Sequence, residues 1–140
     1  MTTLRLRPRP LKGIAALLDV VRFDEQGLVP TVIQDAASGQ VLTLCYLTRD
    51  ALAQSFSTGT VHVFRRSQQR LMQKGETSGH IQVIREVRVD CEGKSLVLKI
   101  RQHVAACHAG YFTCYFRQLK GGRLVTVGRR VFDPKRVYRV

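Results

Sequence analysis

Hydrophobic and polar positions fall into short segments of strand or helix spacing, separated by turns that mostly centre on glycine. In residues 13–21, Ile14, Leu17, Leu18 and Val21 recur at helical spacing, which predicts a short helix burying those side chains. Residues 28–35 (L-V-P-T-V-I-Q-D) are rich in β-branched side chains and bounded by Gly27 and the Ser38-Gly39 turn. With the run V-L-T-L-C-Y-L over 41–47 they predict a hairpin. Thr48 is placed to cap a helix over 49–57, with Asp50 in its first turn and Gly59 as its stop. A strand resumes over 61–65. Residues 66–80 (R-S-Q-Q-R-L-M-Q-K-G-E-T-S-G-H) lack hydrophobic periodicity and read mostly as loop. Residues 81–90 and 96–101 alternate around the turn E-G-K, which predicts an antiparallel pair with Asp90, Cys91, Glu92 and Lys94 at a strand end or turn. A further strand is expected over 111–119, then a turn at Gly121-Gly122 and a short return over 124–127. Strands outnumber helices and the connections are short, so the expected fold is α+β, a mainly antiparallel sheet with a few short helices.

Composition adds boundaries. The 140 residues suit one core. Residues 1–12 read as a loose basic N-terminal arm, and residues 13–140 as a single domain that includes a basic C-terminal tail. Hydrophobic residues at 44% and charged residues at 24% are ordinary for a soluble globular chain. No run approaches a membrane span and the opening residues lack a signal-peptide core, so a cytoplasmic protein without membrane contact is expected. A net charge of +13 invites an anionic partner. The basic residues are scattered rather than gathered beside aromatics or on a recognition helix. That disfavours nucleic acid; a solvated basic surface is the first reading, and charge alone does not choose among anionic partners such as a phosphorylated small molecule.

The chemistry concentrates in residues 91–114, which hold three of the four cysteines. Cysteines in a chain without a secretion signal are expected as reduced thiols. Cys45 lies in an apolar strand pattern and reads as a core thiol. Cys91, Cys107 and Cys114 are spaced by 16 and 7 residues, unlike the paired knuckles of structural zinc modules. Buried reduced thiols and a metal site stand as alternatives, and three thiolates would suit an open zinc site that keeps a position for water. Asp90 and Glu92 flank Cys91, so the same stretch offers hard oxygen donors of the kind magnesium takes. His108 follows Cys107 and is a candidate proton carrier near neutral pH, with a structural histidine as the competing reading. His103 reads as structural, and His62 and His80 have weaker claims. Lys74, Gly75, Glu76, Thr77 and Ser78 belong to the run K-G-E-T-S-G, whose cation, hydroxyls and glycines can cradle a phosphate; an ordinary surface turn is the competing reading. Arg65, Arg66 and Ser67 just upstream offer a second phosphate grip, with a solvated loop as the equal alternative.

The succession G-L-V-P-T-V-I-Q-D, G-Q-V-L-T-L-C-Y-L, R-S, K-G-E-T-S-G, V-R-V-D-C-E and A-A-C-H-A-G-Y-F-T-C-Y-F-R resembles phosphoribosyl-AMP cyclohydrolase over about residues 23–119. The ending V-F-D-P-K-R-V-Y resembles tails of bacterial members. The resemblance implies a zinc-dependent hydrolase of histidine biosynthesis that opens the adenine ring of phosphoribosyl-AMP at the N1–C6 bond. It also implies an intertwined homodimer in which Cys91 comes from one subunit and Cys107 and Cys114 from the other, with His108 as the proton-transfer residue. Ligands drawn from two chains need no short repeat, which would explain the spacing. The family pattern D-C-D-x-D, which binds magnesium, reads Asp90, Glu92 and Lys94 at its acidic positions here, so a weakened or absent magnesium site is implied. The family's W-S-R-S-R becomes Phe64, Arg65, Arg66, Ser67 and Gln68, and the asparagine after K-G-E-T-S-G becomes His80. These departures leave two alternatives: a divergent paralogue hydrolysing another purine-like or heterocyclic ring, and a non-catalytic module that binds zinc or nucleic acid.

Overall fold

The computed structural model describes residues 7–65, 67–74, 80–103, 107 and 109–137. The elements in chain order are α1 (Ile14–Leu18), β1 (Val29–Asp35), β2 (Val41–Leu47), α2 (Arg49–Thr58), β3 (His62–Arg65), β4 (Arg70–Gln73), β5 (Gln82–Val89), β6 (Leu96–Gln102), β7 (Arg117–Lys120), β8 (Arg123–Thr126) and α3 (Pro134–Val137). The fold is α+β with mostly antiparallel pairing, as the periodicity predicts.

The main sheet has the order β2-β1-β6-β5. Its hairpins β1/β2 and β5/β6 are the two predicted from sequence, and they join through a parallel pairing of β1 with β6. That parallel contact has no local signature, since it joins segments some 65 positions apart, Thr31 opposite Leu96. Pro30 sits opposite Tyr46 on the β2 side, and pairing with β6 begins one residue later. A proline without an N–H is tolerated there because the second ladder has not yet started. On β1 every second side chain is buried, and β6 follows the same period over most of its length. Ile33, Leu42, Leu47, Leu96, Leu98 and Ile100 thus form the floor of the core.

Helix α2 closes that core by burying Ala51, Leu52 and Phe56. Its ends are those predicted. The Thr48 hydroxyl accepts a hydrogen bond from the Ala51 N–H, and Gly59 ends the helix in the left-handed region at φ 78°. A Cβ on Gly59 would stand 2.1 Å from the Arg9 carbonyl oxygen, so only glycine fits against the incoming chain. The adjacent Leu11 N–H donates to the Phe56 carbonyl and its side chain packs on the core, while residues 1–6 of the expected arm lie outside the described residues.

Three local expectations need correction. Helix α1 covers only five residues and buries none of them fully; Ile14, Leu17 and Leu18 are half-buried, and Val21 is buried beyond its end. The polar stretch read as loop contains β4, which pairs with β3 from His62↔Gln73 to Arg65↔Arg70. Its exposed positions gave no alternation to read. The strand expected over 111–119 is reduced to β7, because residues 112–116 are tied to other segments instead of a continuous neighbour.

Candidate functional site

Two cysteine-bearing segments and one polar hairpin hold the residues singled out by the sequence. The first segment, residues 107–116, docks on the free side of edge strand β2. The Thr113 hydroxyl donates to the carbonyls of Val41 (2.8 Å) and Leu42 (3.2 Å), and the Cys114 N–H donates to the Leu42 carbonyl at 2.8 Å. These bonds occupy carbonyls that an edge strand would otherwise leave unpaired. From the other end, Gln102 at the close of β6 donates its Nε2–H to the Phe112 carbonyl at 2.8 Å.

Cys107 sits in a tight turn. The Gly110 N–H donates to the Cys107 carbonyl at 3.0 Å, and the Ala109 N–H donates to Cys107 Sγ at 3.3 Å. Gly110 has φ 94°, and a Cβ there would meet the Phe132 carbonyl oxygen at 2.2 Å. The turn therefore requires glycine and fixes the C-terminal segment against it, with the Val131 N–H donating to the Gly110 carbonyl at 2.6 Å.

The turn brings the Cys107 thiol within hydrogen-bonding distance of Cys114. Burial pushes the Cys114 thiol up; the Thr43 hydroxyl and the Lys74 ammonium oppose that shift, and Cys107 adds to it. Cys45 packs on the core, its Sγ 3.6 Å from the Thr31 carbonyl, and burial pushes its pKa up to about 12 against the influence of Lys74. Cys45 is thus the inert thiol of the group, as its strand pattern predicts. Cys107 and Cys114 are adjacent soft donors, and the Thr43 hydroxyl and Lys74 ammonium partly offset the burial that raises the Cys114 thiol, a donor set suited to zinc.

Cys91 is elsewhere. It is exposed in the turn between β5 and β6, and among the described residues no three His, Cys, Asp or Glu side chains converge as a metal site. One chain therefore brings together two of the three predicted zinc ligands and leaves the third apart. The turn around Cys91 is organised by Asp90. Its Oδ1 accepts from the N–H groups of Glu92 (3.0 Å) and Lys94 (2.8 Å), and its Oδ2 from the Ser95 hydroxyl at 2.8 Å. The backbone bond from Lys94, then the Ser95 hydroxyl, hold the Asp90 carboxyl below the usual carboxylate range. The turn faces a cavity of about 580 Å³ that Asp19 and Arg22 also line.

The polar hairpin β3/β4 contributes a second cavity, about 630 Å³, lined by Gln26, Leu28, Thr48, Phe64, Ser67 and Gln69. Ser67, one of the predicted substrate contacts, is thus on a concave surface beside Phe64. Lys74 ends the described part of the hairpin, with its N–H bonded to the Val61 carbonyl at 2.8 Å, and its ammonium lies close enough to Cys45 and Cys114 to act on both. Arg66, Gly75, Glu76, Thr77, Ser78 and His108 lie outside the described residues. His80 stacks edge-on against Phe132 (4.7 Å between centroids), 6.1 Å from His103, and burial followed by the His103 charge lowers its pKa. His62 is buried in a structural setting: its N–H bonds to Ser55 Oγ at 2.9 Å and its Nδ1 lies 3.2 Å from the Thr60 carbonyl. His103, read as structural, falls one residue past β6 and is exposed.

Sequence reasoning passed over Thr43, Ala109 and Gly110, which shape the thiol pair. The glycine two residues after His108 was the one available sign of a tight turn there.

Comparison with known proteins gives this arrangement its context. The family model for phosphoribosyl-AMP cyclohydrolase matches residues 43–116, from Thr43 beside the thiols to Phe116 beyond Cys114. The phosphoribosyl-AMP cyclohydrolase of Natronomonas pharaonis is 48% identical over 83% of this chain and 94% of its own length, and that of Pelotomaculum thermopropionicum is 43% identical over 86% and 95%. The histidine biosynthesis bifunctional protein HisIE of Thermoanaerobacter pseudethanolicus is 40% identical over 87% of this chain, which spans about half (56%) of that longer relative. The α+β fold, the thiol cluster and these matches define a hydrolase. The chain belongs to the phosphoribosyl-AMP cyclohydrolase family.

Proposed function

We propose that this protein catalyses the hydrolytic opening of the adenine ring of phosphoribosyl-AMP at the N1–C6 bond, a step of histidine biosynthesis, as a cytoplasmic zinc-dependent homodimer. The observation that carries the proposal is the adjacent Cys107–Cys114 pair, fastened to β2 inside the segment that matches the family. Two ligands from one chain call for a third, and Cys91 of the partner subunit, exposed and standing apart from the pair in its own chain, is available for that role. When bound, zinc would supply Lewis acidity, lowering the pKa of a water at its open position.

The chain's own residues do the rest. Water adds to C6, the N1–C6 bond breaks and C6 becomes a carboxamide carbonyl; of the two protons the water oxygen loses, one ends on the exocyclic imino nitrogen, which becomes the carboxamide NH2, and one passes to N1. His108, next to Cys107, carries that proton, since an imidazole exchanges protons near neutral pH. Lys74, the Gly75, Glu76, Thr77 and Ser78 loop, and Arg66 with Ser67 hold the phosphate ends of the substrate. The chain's net charge of +13 favours capture of such an anion. Following ring opening of phosphoribosyl-AMP with zinc present tests the proposal: turnover lost in Cys107→Ala supports it, and turnover no higher than that variant's contradicts it.

Phe64 favours a second reading. It lines the cavity with Ser67 and Gln69, at a position where the family pattern has an indole, and a changed wall there suits a divergent paralogue with another heterocyclic substrate. Growth without histidine, restored by this gene in a cell lacking the cyclohydrolase, would argue against that reading.

A further inference from the structure

The turn over residues 90–95 carries the positions at which the family pattern has three aspartates. We infer that this corner cannot hold magnesium in this chain and that the Lys94 ammonium stands in place of the ion.

The inference rests on the lone pairs and charges of the turn. Asp90 Oδ1 already accepts two backbone N–H bonds, and Oδ2 accepts the Ser95 hydroxyl. A carboxylate oxygen has about two acceptor directions, so Asp90 retains a single free one. Glu92 Oε2 lies 3.6 Å from Lys94 Nζ, which turns the second carboxylate toward an ammonium. Two carboxylates and one ammonium leave a net charge of −1 over residues 90–94, where three aspartates would carry −3. Asp19 and Arg22 line the same cavity with opposite charges, so together they do not restore the lost carboxylate charge. Magnesium needs near-octahedral oxygen ligands and gives up its waters reluctantly, so it relies on carboxylate charge that this corner has lost. Exchanging a carboxylate for an ammonium a few ångströms from a divalent ion weakens binding on the order of a hundredfold, even in a largely aqueous setting.

The Lys94–Glu92 pair is itself exposed, with side chains 62% and 67% accessible, so it contributes little to stability. Its consequence is for ion occupancy. The corner has become one half of an internal ion pair facing the cavity, and the protein works with zinc alone. That last clause rests on the zinc reading above; the loss of the magnesium corner does not.

The test is binding of Mn²⁺, a spectroscopic substitute for Mg²⁺ that also prefers oxygen donors, to the zinc-loaded full-length protein, with the paramagnetic resonance signal of free Mn²⁺ as the readout. The unmodified protein is expected to leave Mn²⁺ free up to about 1 mM. Lys94→Asp, and Lys94→Asp combined with Glu92→Asp, are expected to bind one Mn²⁺ per chain at least about a hundredfold more tightly, with Mg²⁺ displacing it. Lys94→Gln, which removes the charge without adding a ligand, should fall between. Stoichiometric Mn²⁺ uptake by the unmodified protein, displaced by Mg²⁺, overturns the inference. So does a double variant that melts like the unmodified protein yet binds no more Mn²⁺. Neither result depends on catalytic activity, so failure here is separable from failure of the proposed reaction.

Discussion

Cys91 and Cys107 both sit in tight turns closed by a positive-φ glycine, yet the two turns are built from different material. The side-chain bonds of the Cys91 turn are local: Asp90 satisfies the N–H groups of Glu92 and Lys94 and the hydroxyl of Ser95, all within five residues, and one distant bond, from the Arg22 N–H to the Gly93 carbonyl, anchors it. Gly93 presses that turn against Val20, whose carbonyl oxygen would stand 2.0 Å from an added Cβ. The segment holding Cys107 and Cys114 is assembled from afar, with Thr113 and Cys114 bonded to β2 some 70 residues earlier and Gly110 latched to residues 131–132. A locally built turn presents its cysteine to whatever approaches. A segment built by long-range contacts fixes two thiols against each other, with the Thr43 hydroxyl and the Lys74 charge acting on Cys114. This division suits a site in which one chain supplies a held pair and the other a single exposed ligand.

The comparison can be broken most severely at the pair. Cys107→Ala or Cys114→Ala is expected to lose bound zinc and to lower turnover by about a thousandfold or more, measured by metal analysis and ring-opening assay. Thr113→Val removes the hydroxyl that caps the Val41 and Leu42 carbonyls. The Leu42 carbonyl keeps the Cys114 N–H but the Val41 carbonyl loses this donor, and urea unfolding should show a loss of about 1–3 kcal/mol. Ser95→Ala deletes a bond on the exposed local turn and should lower the urea midpoint far less. Alkylation of the metal-free protein followed by mass spectrometry should label exposed Cys91 first and Cys45 last, since a thiol whose pKa is about 12 is almost wholly protonated at pH 8.

The smallest effect is the titration of Asp90. Its folded pKa lies below the unfolded value, so its contribution to stability is fully present above the ordinary value of 3.8 and is lost as pH falls through the lowered one. A carbon-detected NMR titration should find the Asp90 carboxyl ionising below 3.8, and in Ser95→Ala moving back toward it.

How much of this was legible in the sequence depends on how far each contact reaches along the chain. The β1/β2 and β5/β6 hairpins, helix α2 and its Thr48 and Gly59 ends were readable, because periodicity and capping are short-range signals. The parallel β1/β6 junction was not, since nothing local to residues 29–35 names residues 96–102 as a partner. Strand β4 escaped because none of its side chains is buried and they carry no alternation. The site shows the same division. Asp90 at the strand end and Cys45 in an apolar strand were read correctly, whereas the proximity of Thr43 and Lys74 to Cys114 arises only when β2, the polar hairpin and the segment after β6 meet. The apolar lead of Tyr111 and Phe112 suggested a strand, but there the backbone bonds go to the edge of β2 and to Arg129.

The central claim, that the zinc site is completed between two chains, is tested most directly by mixing two inactive variants. Cys91→Ala and Cys107→Ala are each expected to be inactive alone. After the two are unfolded and refolded together, half the dimers are mixed. Each mixed dimer carries one site with all three cysteines, so activity should return to about a quarter of that of the unmodified protein, together with a matching fraction of bound zinc. No recovery of zinc or activity in a mixture shown to contain mixed dimers would contradict the account.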